Sequence, residues 1–182
     1  MDIYNPILSA DEGVPLPVTT ESGVVEIMDG PDFITQDVTL NAFMLNNISF
    51  NVQAEDMSIE SILMDNSILV ASNDDGEFYA PEFGVNQIGD ISAEDGYQIF
   101  ISGLESESVS VTGTAVDIST PLLIEAFRAN IISYLPDVCC SSVDVFGEYD
   151  DDILIIKNDS GDFYVPSFGV FSLDEVCPGE GY

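Results

Sequence analysis

Residues 68–85, ILVASNDDGEFYAPEFGV, lie over residues 153–170, ILIIKNDSGDFYVPSFGV, with 11 of 18 positions identical and no gap. Identity of this kind means that one supersecondary unit is used twice, which narrows the fold more than any other property of the chain. Upstream, Asn46-Asn47-Ile48-Ser49-Phe50 matches Asn130-Ile131-Ile132-Ser133-Tyr134 after a shift of one residue, and downstream Gly96-Tyr97 matches Gly181-Tyr182. The first repeat therefore spans about residues 45–101 and the second about 129–182.

Within each repeat the pattern reads as strand, short helix, hairpin, loop and strand. NISFNV (47–52) and NIISYLP (130–136) are rich in strand formers. EDMSIESILM (55–64) offers Asp56 or Ser58 as the cap of a helix of about two turns presenting Met57, Ile59, Ile62 and Leu63. Ser141 or Ser142 before Val143, Val145 and Phe146 does the same in the second repeat. Two strands then flank Asn73-Asp74-Asp75-Gly76 and Asn158-Asp159-Ser160-Gly161, where glycine supplies the positive φ of a tight hairpin. Pro81 and Pro166 end the ladder, since proline has no N–H to donate. GYQIFI (96–101) alternates as a closing strand, whereas the second repeat reaches Tyr182 one strand short and leaves an open edge. Either a continuing polypeptide or a neighbouring chain is expected to supply that strand.

Residues 106–127 read as a connecting pair of strands with Gly113 at the turn and Pro121 at a boundary, and residues 23–43 read as their N-terminal equivalent. Prolines at positions 6, 15 and 17 make the N-terminus an extended arm. The expected organisation is an arm over 1–22, a β region over 23–104 containing the first repeat, and a β region over 105–182 containing the second. The fold class is mainly β, two small tandem β units with one short helix each, joined by β-strand linkers.

Charge then limits partners. Asp and Glu number 34, against Arg128 and Lys157 as the only basic residues, and there is no histidine. With 46% hydrophobic residues the chain has the material for a core, so a folded protein is expected rather than a disordered one. Its carboxylates repel one another unless screened, so salt or divalent cations should stabilise it. Nucleic-acid binding needs a basic footprint, which two cations do not make. No run of about 20 apolar residues is present, so no membrane insertion is expected. Met1-Asp2-Ile3-Tyr4-Asn5-Pro6 is acidic and interrupted by proline, unlike a Sec-type leader. Cys139, Cys140 and Cys177 form no CxxC and read as free buried thiols rather than a disulfide framework.

The ordered set Asn-x-Ile-Ser, Ile-Leu-Ile-Ile-Lys-Asn-x-x-Gly-x-Phe-Tyr-x-Pro, Phe-Gly-Val, Ile88-Gly89-Asp90 and a closing Gly-Glu-Gly-Tyr resembles a repeat of secreted and surface proteins of Bacteroidetes-type bacteria and of virion proteins of marine and gut phages. The resemblance covers about two thirds of the chain, and the tryptophans that family copies often carry are absent here. It implies a β scaffold placed on many different proteins.

The Asx-rich turns at 73–77 and 158–162 supply oxygens of the type calcium takes, but without EF-hand spacing, and a plain hairpin turn accounts for the same residues. Asp150-Asp151-Asp152 reads as a solvated turn. No cofactor or metal residue is assigned, and loose binding of divalent cations is the expectation. Phe78, Tyr79, Phe83 and Tyr97, with Phe163, Tyr164, Phe168 and Tyr182, recur at matching places and read as the core of each repeat. No GxSxG, P-loop or HExxH is present, no carboxylate pair stands out, and no catalytic residue is assigned. The expectation is a non-catalytic virion structural protein, a capsid decoration, fibre or tail-associated module. The alternative is a subunit or fragment of a bacterial secreted or cell-surface adhesin or extracellular filament, and a nucleic-acid mimic ranks third. Partners are other structural proteins of the same assembly, copies of this chain included.

Overall fold

The structure, a computed structural model, describes residues 18–21, 24–27 and 33–182. Residues 1–33 and 34–182 form separate compact units. The first contains an antiparallel hairpin of β1 (Val18–Glu21) and β2 (Val24–Ile27), with Val18 opposite Ile27. Of the expected arm, residues 1–17 and 22 lie outside the described residues, and 18–21 are the paired strand β1.

The first repeat is built from β4 (Asn46–Ser49), β5 (Val52–Gln53), the helix α1 (Ile59–Ile62), β6 (Ile68–Ser72), β7 (Phe78–Ala80), β8 (Val85–Asn86) and β9 (Gly96–Ile101), preceded by β3 (Phe33–Leu40) and followed by β10 (Glu107–Ala115). One antiparallel sheet runs β4-β9-β6-β7-β8 and another runs β3-β10-β5. The period of two puts Val109 and Val111 of β10 inside and Ser108, Ser110 and Thr112 outside. Those valines join Val38 and Leu40 of β3 and Ile99 and Ile101 of β9 in one core shared by the two sheets, which Met57, Ile59 and Leu63 of the α1 region also enter. The helix is a single turn, not two. Asp56 accepts from the Ser58 amide at 2.9 Å, and the Ser58 hydroxyl makes no capping bond.

The second repeat contains β11 (Cys140–Ser141), α2 (Ser142–Phe146), β12 (Ile156–Lys157), β13 (Phe163–Val165), β14 (Val170–Phe171) and β15 (Glu175–Val176). β12-β13-β14 reproduces β6-β7-β8, and β11 pairs with β15. Its core is small: Tyr134, Phe146, Tyr164, Leu173, Val176 and Tyr182.

Residues 106–127 do not form the expected pair of strands. A single strand, β10, runs through Gly113, which is not at a turn but at a close crossing, because a Cβ there would overlap the backbone of Gln53 and Ala54. Residues 117–124, the counterpart of β3, are in no strand.

Structural equivalence also reaches further upstream than the expected boundaries at 45 and 129. Phe43 and Phe127 both take a left-handed backbone, φ 64° and 65°, which costs a non-glycine residue roughly 1 kcal/mol. An asparagine three residues on holds each turn. Asn46 Oδ1 accepts from the Asn41 amide at 2.7 Å while its Nδ2 donates to the Asn41 and Met44 carbonyls. Asn130 does the same with the Glu125 amide at 2.9 Å and the Glu125 and Arg128 carbonyls.

Candidate functional site

The two repeats are joined by a reciprocal crossing of backbones. In the first repeat Ile48 lies opposite Tyr97, and in the second Ile132 exchanges amide and carbonyl bonds with Tyr182 at 3.0 and 3.1 Å. Each of these segments also meets the other repeat: Ile48 bridges Glu180, and Ile132 bridges Asp95. The Gly96 amide donates to Ile131 O at 2.7 Å, and its counterpart Gly181 donates to Asn47 O at 3.0 Å. Ser49 N likewise reaches Gly179 O, and Ser133 N reaches Glu94 O. Both glycines are small because the other repeat passes over them. A Cβ on Gly96 would sit 2.5 Å from Ile131 Cγ2, and one on Gly181 2.9 Å from Ile48 O. The repeated Gly-Tyr was legible in the sequence, but the reason for the glycine was not.

The tyrosines that follow also act alike. Tyr97 OH accepts from the Ser92 amide and Tyr182 OH from the Cys177 amide, each at 2.8 Å. Burial pushes the Tyr97 hydroxyl up to about 12, and burial together with the Glu180 carboxylate raises that of Tyr182 further. Tyr164 is raised to about 12, chiefly by donating to the Asp150 carboxylate at 2.6 Å. These groups favour the fold while protonated. That stability is complete below pH 10, the ordinary tyrosine value, and is lost as pH climbs to about 12 and beyond. Tyrosinate absorbance and loss of β circular dichroism are expected to rise together in one transition above pH 10; ionisation of Tyr97 and Tyr164 with the fold intact would contradict this.

Both Asx turns are closed by their own side chains. Asn73 Oδ1 accepts from the Glu77 amide at 3.0 Å and Asn158 Oδ1 from the Asp162 amide at 2.9 Å, with Gly76 and Gly161 at φ 81° and 87°. Among the described residues no group of three or more Asp, Glu, Cys or His side chains is placed to hold a metal. What the first turn does hold is Arg128, which pairs with Asp75 at 2.9 Å, Glu125 at 2.8 Å and Asp74 at 3.4 Å, while Asp74 also accepts from the Ile131 amide. The related groove beside the second turn is lined by Asp37, Asp159 and Glu180. Arg128→Gln is expected to lower the melting temperature only slightly, since solvent screens the site, and the loss should shrink as salt is raised. Melting curves at low and high sodium chloride check this; a loss independent of salt would contradict it.

The repeated aromatics divide. Tyr79, Tyr97, Tyr164 and Tyr182 are core, as the pattern led one to expect. Phe83 and Phe168 are not: they are 75% and 80% exposed, each on a short 3-10 turn that begins at the ladder-ending proline and is capped by a left-handed glycine. Phe78 and Phe163 lie on the outer face at the margin of exposure. The alternation of Phe78-Tyr79 and Phe163-Tyr164 across a strand carries that signal, since only one of two adjacent strand residues faces the core.

The cysteines correct the sequence reading. Cys139 and Cys177 form a disulfide with Cα atoms 4.2 Å apart, and Cys140 is free. Cys140 lies opposite Val176 in the β11–β15 ladder, so the next positions, 139 and 177, face each other. That register spans 38 residues and had no signature in the spacing.

The widest difference between the repeats is what covers them. Leu40 is 0% exposed, whereas its counterpart Ile124 is 61% exposed; Leu69 is 36% and its counterpart Leu154 75%. Ile118, Leu123 and Ile155 are exposed too. In the first repeat β9 pairs with both β4 and β6, and β10 pairs with β5 beside β3. Among the described residues no strand takes those places on the second. Comparisons with protein-family models, curated proteins and solved structures find no match for this chain.

Proposed function

We propose that this chain is a non-catalytic structural protein of a virion, a capsid decoration, fibre or tail-associated surface module. The observation that carries the structural reading is on the second repeat, where Ile124 stands in solvent although its counterpart Leu40 is core, with Ile118, Leu123 and Leu154 exposed as well. Exposed apolar residues at positions where the related repeat buries them point to an interaction surface. The acidic exterior keeps such a part soluble until it meets its neighbours. A second reading, a subunit of a bacterial surface adhesin or filament, is favoured by the Cys139–Cys177 disulfide, because disulfides persist in oxidising, extracellular settings, virion exteriors among them.

Density-gradient fractionation of the native source with mass spectrometry separates the two. Co-banding with DNA-filled particles is the expected result. Recovery with cell envelope or free filaments would overturn the virion reading in favour of the second.

A further inference from the structure

We propose that strand β2 of a second molecule of this chain takes, on the second repeat, the place that β10 holds on the first, so that molecules join head to tail. This deepens the assembly reading above and rests on it.

The first repeat shows what the missing cover is. There β10 lies beside β3, and its Val109 and Val111 are buried against Val38 and Leu40. The counterpart of β3 in the second repeat is residues 117–124: Ile34 aligns with Ile118, Val38 with Leu122, Leu40 with Ile124, Ala42 with Ala126 and Phe43 with Phe127. Of these, Ile124 is exposed where its counterpart Leu40 is buried, and Ile118, Ala126 and Phe127 are exposed as well.

A strand of β10 type is nonetheless encoded twice. Continuing the same alignment toward the N-terminus places Ser22 on Ser106, Val25 on Val109 and Ile27 on Val111. β2, Val24–Ile27, therefore has the sequence position of Ser108–Val111. Within residues 1–182 there are thus two repeats and two strands of this type, one before the first repeat and one between the repeats. Head-to-tail joining places a strand of this type after the second repeat at every junction, in the position that β10 has after the first. An incoming strand beside residues 117–124 draws them into a strand, pairs their backbone groups other than the N of Pro121, which has no proton to donate, and buries alternate side chains, the usual physics of strand addition. Because donor and acceptor surfaces differ, the contact does not close on itself and yields open chains of molecules. With a formal charge of −32 on each molecule, joining requires screening by salt.

Three variants of the full chain test this by sedimentation velocity. V25D/I27D removes the donor pattern, and Ile124→Asp the acceptor, with Leu122→Asp, at the position of buried Val38, as a second acceptor variant. The wild-type chain is expected to form a ladder of oligomers that lengthens with concentration and with salt. Each variant alone is expected to stay a monomer, and a one-to-one mixture of donor and acceptor variants to give a dimer and nothing larger. A wild-type monomer at every concentration and salt, or oligomers that persist in the variants, would overturn the proposal. A monomeric chain that still co-bands with particles would sink strand exchange and leave the structural reading standing. Self-joining chains absent from any assembly would do the reverse.

Discussion

Gly96→Val and Gly181→Val are each expected to destabilise both repeats together, by roughly 3 kcal/mol, the upper end of what overpacking a tight contact costs. At Gly181 the obstacle is the Ile48 backbone itself, whose O, N and C lie 2.9, 3.2 and 3.3 Å from an added Cβ. Relief requires the crossing to open, and with it the bonds from Gly181 N to Asn47 O and from Ser49 N to Gly179 O. At Gly96 the Ile131 side chain can yield in part, but Ile132 O at 3.1 Å cannot move without disturbing its pairing with Tyr182. Gly76→Ala is the control. It meets nothing within 4 Å and is strained only through its φ of 81°, so a cost of about 1 kcal/mol confined to the hairpin is expected. Denaturant titrations that show the seam variants no worse than this control would contradict the account of the crossing.

The second large effect is expected from the disulfide. Joining positions 38 residues apart removes unfolded-state entropy worth about 4 kcal/mol in the chain-entropy model. The bridge ties β11 to the segment that leads to the seam, since the Cys177 amide donates to Tyr182 OH and Gly179, two residues on, accepts from Ser49. The second repeat has only a small core of its own, so the double variant C139S/C177S should loosen the seam and, because the repeats are interlocked, lower the stability of both in one transition. A melting temperature unchanged by the double variant, or by thiol reductant, would contradict this.

How much of this could be read in advance depended on range along the chain. The hairpin turns were legible because Asn73 and Gly76 act within five residues, and the same is true of Pro81 as the end of β7. The mainly β class followed from the alternation in strands such as β9. Helix length was overestimated because apolar spacing at Met57, Ile59 and Leu63 was taken as periodicity, whereas α1 turns once and Met57 lies before it. Gly113 was misplaced because a glycine permits a turn and a close crossing equally, and only the position of Gln53 decides between them. The Cys139–Cys177 pairing, the Arg128 clamp on Asp74 and Asp75 and the crossing at Gly96 and Gly181 all depend on segments distant in sequence, Gly96 and Ile131 being the nearest pair, for which local pattern carries no signal. Sequence alignment pairs Ile124 with Leu40. The exposure of Ile124 where Leu40 is buried needed the fold.

Native-state hydrogen exchange at the seam is the most direct check on the view that two repeats form one interlocked unit. The amides of Gly96 and Gly181, bonded to Ile131 O and Asn47 O, are expected to exchange with one common opening free energy, equal to that of Ile99 in the first core and of Tyr164 in the second. Gly181 and Tyr164 exchanging far more readily while Gly96 and Ile99 stay protected would show instead two repeats that fold apart.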